Sequence, residues 1–294
     1  MQALAYYLFY GINWIVTLLP LRILYLSSDF LFLLMYYFPG YRRKIVAVNL
    51  RNSFPEKSQQ ELDIIGKKFY HHLCDLFVEV LKMTHMSERE LKKRIHYTNP
   101  EVVNRFYNEG RDIVAVMGHY CNWEWMSGVP LFVKHQMVSI YKPLKNKYFD
   151  AFMNNNRTKN GMVFVPMKQT AREIIENRKN NKRSIYGFVT DQTPSGGDIK
   201  FWTKFLNQDT PVFLGSEKIA VKYDMPVLFV NVHKVKRGFY TFSGELLFEH
   251  SAGLPDHLIT EAFVKRMEEV ICEKPEYWLW SHRRWKLKRE DAND

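Results

Sequence analysis

The residues best placed to do chemistry lie in GHYCNWEW, 118–125, where His119 and Glu124 stand five positions apart. A histidine with an ordinary pKa of about 6.5 can take a hydroxyl proton near neutrality. A carboxylate on its other ring nitrogen would fix the tautomer and stabilise the imidazolium that forms. Such a pair requires no acylated serine or cysteine, because an acceptor hydroxyl can attack an activated acyl thioester directly. Inside a regular helix a separation of five turns two side chains about 140° apart. The spacing therefore places His119 in a loop at the mouth of a helix and Glu124 in its second turn, with the ring folded back to the carboxylate. On bare spacing, a coincidental pair on a surface or in a core competes with this reading.

Other chemistries fit less well. Cys121 is two residues from His119, and at a helix start the two side chains diverge by about 200°, so it reads as a small group packed behind the site. The ten histidines contain no His-Glu-x-x-His, and the adjacent pair His71 and His72 points two ways around its helix, which disfavours a zinc hydrolase. Asp191 follows the strand-like SIYGFV. Two readings of it stay open: a polar residue of the site, or a carboxylate capping a Gly-rich turn.

The elements that must position these residues are legible as patterns. Residues 60–83 carry Ile65, Phe69, His72, Leu76 and Val80 at three- and four-residue spacing, an amphipathic helix. Ser87 with Glu90 reads as a capping box opening a further short helix. From about residue 111, apolar runs alternate with polar or helical stretches: 113–117, 137–141, 162–165, 184–189 and 227–232. The gaps, 168–179 among them, suit crossover helices. The expected fold is α/β, a central mixed and largely parallel sheet flanked by helices. His119 then falls at the C-terminal edge of the sheet, where such folds place ligands. Residues 227–248 read as an antiparallel pair turning near Gly238, followed by a helix over 260–272.

Residues 3–21 carry no charge, and a second apolar stretch, 23–38, is broken by Asp29 and followed by Arg42, Arg43 and Lys44. The first run approaches the ~30 Å hydrocarbon thickness. It would span the bilayer, or lie in one leaflet with the second stretch as a re-entrant pair; a helical cap on a soluble protein is the competing reading. It lacks the basic n-region and small-residue cleavage site of a signal peptide. The basic cluster after it assigns residues 42 onward to the cytoplasmic side. The expected organisation is a hydrophobic membrane anchor over 1–40 and one α/β domain over 41–294. The formal charge of +11, with 21 Phe, 17 Tyr and 7 Trp, favours anionic partners and tilts the choice toward a lipid interface. Cys74, Cys121 and Cys272 are too few and scattered for a disulfide scaffold.

Four segments in order resemble the bacterial lipid A secondary (late) acyltransferases, within the HX4D/E acyltransferases that also act on glycerophospholipids. HYCNWE resembles the first motif, with His119 and Glu124 at the catalytic positions. YKPLKNKYFD, 141–150, with Arg157 and Gly161, resembles the second, where Asn146, Asp150 and Arg157 match polar positions and Lys142 replaces a common arginine. DQTPSGG, 191–197, with PVFLG, 211–215, resembles the third, and PEYWLWSHRRWK, 275–286, the last. The likeness covers nearly the whole chain. It implies a glycerolipid acyltransferase-like fold and transfer of a fatty acyl group from acyl carrier protein, less often coenzyme A. The implied acceptor is a hydroxyl of a lipid A precursor at the cytoplasmic face of the inner membrane. No metal or other cofactor is implied. The candidate substrate-binding or oxyanion set is Asn122, Arg157, Asn146, Asp150, Asp191, Gln192, Arg283 and Arg284. An acidic carrier would be drawn to Lys142, Lys145 and Lys147.

Lys218, Ala220 and Tyr223 depart from the residues usual after the third motif, which leaves the acceptor open to a lysophospholipid, an aminolipid or another glycolipid. Two readings from other classes compete. HRRWK and the net charge also suit a nucleic-acid-binding module, but no recognition motif accompanies them and such a protein has no use for the apolar N-terminus. A non-catalytic membrane scaffold would not need the His–Glu pair. The reading favoured is an enzyme with no nucleic-acid partner.

Overall fold

IVAVM is apolar at every position, the pattern of a strand covered on both faces; in the computed structural model, which describes residues 2–38, 40–194 and 199–289, it is β2 (Ile113–Met117), buried throughout. Around it lies a seven-stranded sheet. Its other strands are β1 (Ile95–Tyr97), β3 (Gln136–Tyr141), β4 (Val163–Pro166), β5 (Ser184–Val189), β8 (Val227–Lys236) and β9 (Phe239–Phe248), in the order β1-β9-β8-β2-β5-β3-β4. The run β8-β2-β5-β3-β4 is parallel, β9 returns antiparallel to β8, and β1 is parallel to β9. The mixed, largely parallel α/β sheet expected from the alternating apolar runs is thus present. The antiparallel pair turns at Gly238, whose positive φ of 74° suits glycine.

The helices are α4 (Gln59–Lys82), α5 (Glu88–Arg94), α6 (Pro100–Asn108), α7 (Lys147–Thr158), α8 (Thr170–Lys179), α9 (Gly215–Tyr223) and α10 (Leu258–Glu273), preceded by α1 (Gln2–Val16), α2 (Leu21–Tyr37) and α3 (Arg43–Ser53). Ser58 and Glu61 form a reciprocal capping box at the start of α4, and the Ser87 hydroxyl caps α5 at the Glu90 amide. A small hairpin, β6 (Trp202–Phe205) and β7 (Gln208–Pro211), escaped the reading of apolar runs. Its strands are short, and its two-residue turn carries its left-handed φ values on Leu206 and Asn207.

The connection after β2 differs from the α-helix expected there. Trp123–Leu131 is a 3-10 helix containing Gly128 and Pro130. Pro130 has no N–H to donate, and a side chain at Gly128 would collide with Leu91 and Ile95. Close packing on α5 and β1 holds this tight winding in place.

The apolar run over 3–21 breaks at Thr17–Pro20 into α1 and α2, because Pro20 lacks an N–H and biases Leu19 away from helical backbone. No helix among the described residues is long and apolar enough to cross a membrane. Leu4, Leu8, Ile12, Leu26, Phe30 and Leu33 stand exposed on this pair. Leu21, Leu24, Tyr25 and Phe32 instead join the main core. A buried polar stripe on α4 ties the pair down. Ser28 donates to Asp75 at 2.8 Å and Tyr25 to Glu79 at 2.7 Å. Lys82 donates to the Thr17 and Leu19 carbonyls at 2.7 and 3.0 Å, just past the end of α1. Those carbonyls have no partner within the helix, so the ammonium serves as a C-cap supplied by another helix.

Replacing Lys82 with Met keeps most of the stem and removes that cap. The expected cost is about 1–3 kcal/mol, read as a lower denaturant midpoint. Amide exchange should rise first over residues 13–24; uniform loosening of the whole chain would contradict a local role.

Candidate active site

β2 and β5 pair in parallel with Met117 opposite Val189. Continuing that register by two residues on each strand brings His119 and Asp191 face to face at the sheet's C-terminal edge. The His119 N–H donates to Asp191 Oδ2 at 2.8 Å, and His119 Nδ1 lies 2.6 Å from Asp191 Oδ1. An ionised carboxylate only accepts, so Nδ1 carries the proton and Nε2 presents its lone pair. Gln192 Nε2 donates to that lone pair at 3.1 Å. The His119 side chain is 18% exposed and the Asp191 side chain 2%, so the imidazole is reachable while its partner is not. Gly118 makes the approach possible: a side chain there would come within 2.6 Å of Met267 and 3.2 Å of Asp191 Oδ2.

Burial by itself would raise the Asp191 carboxyl. The positive charge of His119 in its protonated form, the two His119 hydrogen bonds and the Trp278 indole N–H, 2.8 Å from Oδ2, outweigh it and hold the group below its ordinary value. Trp278, with Tyr277 accepting from the Cys121 amide at 3.0 Å, brings the C-terminal segment against the site. Thr193 donates to the Arg284 carbonyl at 2.7 Å, and Asn49 of α3 donates to the Trp280 carbonyl at 2.8 Å. The last sequence segment is therefore the backing of the site. Trp278 carried no signal of its own within that segment; its spacing suits a core aromatic equally well.

Glu124 does not orient His119. No hydrogen bond joins them; Glu124 instead receives Arg157 Nε at 2.7 Å and Nη2 at 2.6 Å, a fork-to-fork pair. The expected α-helix is replaced by the 3-10 turn, and Asp191 already holds Nδ1. Trp123 spans the two groups, its ring 5.1 Å from that of His119 and its indole N–H 3.2 Å from Glu124 Oε1. Burial disfavours the charge on Arg157, but the Glu124 carboxylate and its hydrogen bonds raise the guanidinium above its ordinary range. His119, Asp191, Gln192, Trp123, Glu124 and Arg157 form one contiguous cluster.

The rest of the expected set divides. Asn122 is wholly buried: its Oδ1 accepts from the Trp125 amide at 3.2 Å and its Nδ2 donates to Glu79 at 2.6 Å, so it shapes the turn rather than facing a ligand. Asn146 caps α7 through the Tyr148 amide at 3.0 Å, and Asp150 accepts from the Leu144 amide at 2.8 Å. Arg283 is exposed. Arg284 is 1% exposed, donates to the Pro211 carbonyl at 2.7 Å, and is lowered to about 10 by burial, so it is out of reach of a headgroup phosphate. Cys121 is buried with φ 51°, and burial pushes its thiol up, which fits packing and not nucleophilic attack. Lys142, Lys145 and Lys147 are all exposed. Lys218, Ala220 and Tyr223 lie on α9, with Tyr223 beneath Arg178 near the start of β8, at the sheet edge opposite His119. The Gly-rich turn read after Asp191 lies at 195–197, outside the described residues.

A family model described as bacterial lipid A biosynthesis acyltransferase matches residues 1–287. The chain is 23% identical over 283 residues to the lipid A biosynthesis lauroyltransferase of Escherichia coli K12, covering 95% of this chain and 90% of that one. It is 20% identical over 280 residues to the palmitoleoyltransferase of the same organism, with coverage of 95% and 90%. Identity to lipid A biosynthesis acyltransferase 2 of Shigella flexneri is 18% over 257 residues, 86% and 80% covered. Among solved structures it is similar to the 1-acyl-sn-glycerophosphate acyltransferase of Thermotoga maritima, at 16% identity and a TM-score of 0.37, covering 90% and 98% of the two chains.

Because Asp191 is held below its unfolded value of 3.8, its contribution to stability is complete above that pH and disappears as pH falls through the folded value. Asp191→Asn should therefore be less stable at pH 7, by about 1–3 kcal/mol, and should lose stability less steeply than wild type below about pH 4. Unfolding midpoints measured across pH 3–7 read both effects. Parallel curves for the two proteins would refute the assigned ionisation.

Proposed function

The chain belongs to the bacterial lipid A biosynthesis acyltransferase family and is an acyltransferase, and on that premise we propose that it moves a fatty acyl group from an acyl thioester to a hydroxyl of a lipid A precursor. The observation that carries the mechanism is the Nε2 lone pair that His119 turns outward, with Nδ1–H fixed on Asp191. The acceptor hydroxyl gives its proton to Nε2 as its oxygen attacks the thioester carbonyl; the tetrahedral intermediate then breaks its C–S bond, and the departing thiolate takes that proton from the imidazolium to leave as the free thiol. No acyl-enzyme forms. Asp191 holds the tautomer and stabilises the imidazolium. Gln192, now donating to Nε2, must give way to the hydroxyl and is then free to donate to substrate oxygen.

Glu124 enters through Arg157. The fork-to-fork pair fixes the guanidinium across Trp123 from the histidine, and its proposed role is to stabilise the oxyanion of the intermediate or an anionic group of the acceptor. This replaces the His–Glu contact of the sequence reading while keeping both residues in the machinery.

The donor proposed is acyl carrier protein, in preference to coenzyme A, because Lys142, Lys145 and Lys147 form an exposed basic surface at the entry to α7. The site of action proposed is the cytoplasmic face of the inner membrane. Residues 1–40 would serve there as an interfacial anchor, their exposed Leu, Ile, Phe and Tyr side chains among the acyl chains and the Arg42, Arg43 and Lys44 cluster at the headgroups. A lysophospholipid or aminolipid acceptor is the second reading, favoured only by Lys218, Ala220 and Tyr223; the place of Tyr223 beneath Arg178, at the sheet edge opposite His119, weakens it.

Three measurements test these statements. His119→Ala should lower turnover roughly 100- to 10,000-fold with the fold retained; activity within about twofold of wild type would sink the base assignment. Replacing the exposed Leu4, Leu8 and Ile12 of α1 with Gln, which spares the core residues of α2, should weaken membrane binding; sedimentation unchanged after a salt wash would show that other surfaces anchor the protein. Lipid mass spectrometry of cells with and without the gene should find one acyl chain missing from lipid A and phospholipids intact. An unchanged lipid A beside a chain missing from another lipid would move the acceptor and leave the chemistry.

A further inference from the structure

Glu79 entered neither the spacing argument nor the family resemblance, yet it touches more of the molecule's working parts than any residue of the expected set. It sits on the buried face of α4, wholly enclosed. Oε1 accepts from the Tyr25 hydroxyl of α2 at 2.7 Å. Oε2 accepts from Asn122 Nδ2 at 2.6 Å and from the Tyr240 hydroxyl of β9 at 2.8 Å. Its backbone carbonyl accepts from the Trp125 indole at 3.3 Å. Asn122 in turn caps the 3-10 turn by accepting from the Trp125 amide. Glu124 stands between these two residues in sequence, so both ends of the four-residue segment 122–125 are held by Glu79.

Enclosing a carboxylate costs several kcal/mol unless its oxygens are bonded. A hydrophobic side chain would fill the same space without that cost. Three side-chain donors converging from α2, β9 and the turn give the buried acid a use: they fix where each element lies relative to the others through one two-oxygen group.

We infer that Glu79 is a positioning residue of the acyl-transfer site, which sets the turn bearing Glu124 through Asn122 and joins that turn to the lipid-facing helix α2 through Tyr25. The inference rests on the proposed roles of His119 and of the Glu124–Arg157 pair. A displacement of Glu124 shifts Arg157 with it, and misplacement by about 1 Å can cost on the order of 100-fold in rate. The loss should fall on turnover, because Glu79 meets no substrate. It should be repaired by restoring the bond in the opposite sense: Glu79→Gln with Asn122→Asp exchanges donor and acceptor, and Asp remains a good helix cap.

The test uses the full-length protein, an acyl carrier protein thioester and a phosphorylated glucosamine disaccharide bearing free 3-hydroxyacyl chains. Glu79→Gln should lower kcat roughly tenfold or more while KM for the disaccharide stays within about twofold. The double variant should recover kcat to within about threefold of wild type. Tyr25→Phe and Ser28→Ala each delete one hydroxyl from α2, the first facing Glu79 and the second Asp75. Only Tyr25→Phe should lower kcat, and this comparison decides the matter if Glu79→Gln does not fold. A Glu79→Gln protein within about twofold of wild type overturns the inference. So does a loss that the exchange fails to repair, or an equal loss in Ser28→Ala. His119→Ala run alongside separates the two readings: its activity would sink the proposed mechanism, whereas its inactivity beside any of those results would remove Glu79 alone.

Discussion

The parallel pairing of β2 with β5 is the constraint on which the site depends. Side chains on paired parallel strands keep their register past the last ladder bond, and here the Thr190 amide still donates to the Met117 carbonyl at 3.1 Å. Two residues from each strand end, an imidazole and a carboxylate therefore meet with their backbones already fixed. Neither has to be recruited from a mobile loop, and ordering them costs little beyond what the sheet has fixed. Gly118 is the local price of that closeness, since the chain turns between Met267 and Asp191 where a methyl group has no room.

Around this pair the molecule buries more charge than a hydrophobic core tolerates without partners. Asp75, Glu79 and Lys82 lie along one face of α4, and each meets the α1–α2 region as well as, for the two acids, the sheet or the catalytic turn. Arg237 from the β8–β9 turn reaches both Asp29 and Asp75 at 2.6 Å. Apolar packing alone would let α2 slide along α4 at little cost, because Leu and Phe contacts are not directional. The hydrogen bonds of this stripe admit one seating. An element whose outer face is greasy is thereby held in a defined relation to the chemistry, which a flexible tether would not provide.

The sequence carried the strands well because periodicity and burial are local signals. The apolar runs at 113–117 and 184–189 became strands with the same limits, and α4 fell within a residue of its expected bounds. β6 and β7 were missed because Thr, Lys, Gln and Asp dominate them; their reason to pair lies in Trp285 and Arg284, some 75 residues away, bonding Thr210 and Pro211. His119 was found from its motif. Its true partner was not, since only the sheet register places Asp191 opposite it and register between strands separated by about 70 residues leaves no trace in spacing. Arg284 misled for a related reason: a cation in a basic run reads as a surface group, and nothing local says that it turns inward.

The replacement of a His–Glu dyad by His–Asp alongside Glu–Arg changes what the site can do at once. One carboxylate cannot both hold Nδ1 of the base and neutralise a guanidinium without dividing its lone pairs between two geometries. Two carboxylates divide the labour: Asp191, enclosed and fed by three donor contacts, two from His119 and one from Trp278, keeps the imidazole in one tautomer, while Glu124 holds Arg157 in a fork-to-fork pair. Trp123 lies between the His119–Asp191 pair and the Glu124–Arg157 ion pair and touches both. In the proposed mechanism proton transfer and charge stabilisation fall to different residues fixed to different elements, the ends of β2 and β5 for the first, the 3-10 turn and α7 for the second. A site built this way is sensitive to the relative placement of those elements. The buried acid beneath the turn, bonded to α2, β9 and Asn122 at once, joins three elements directly.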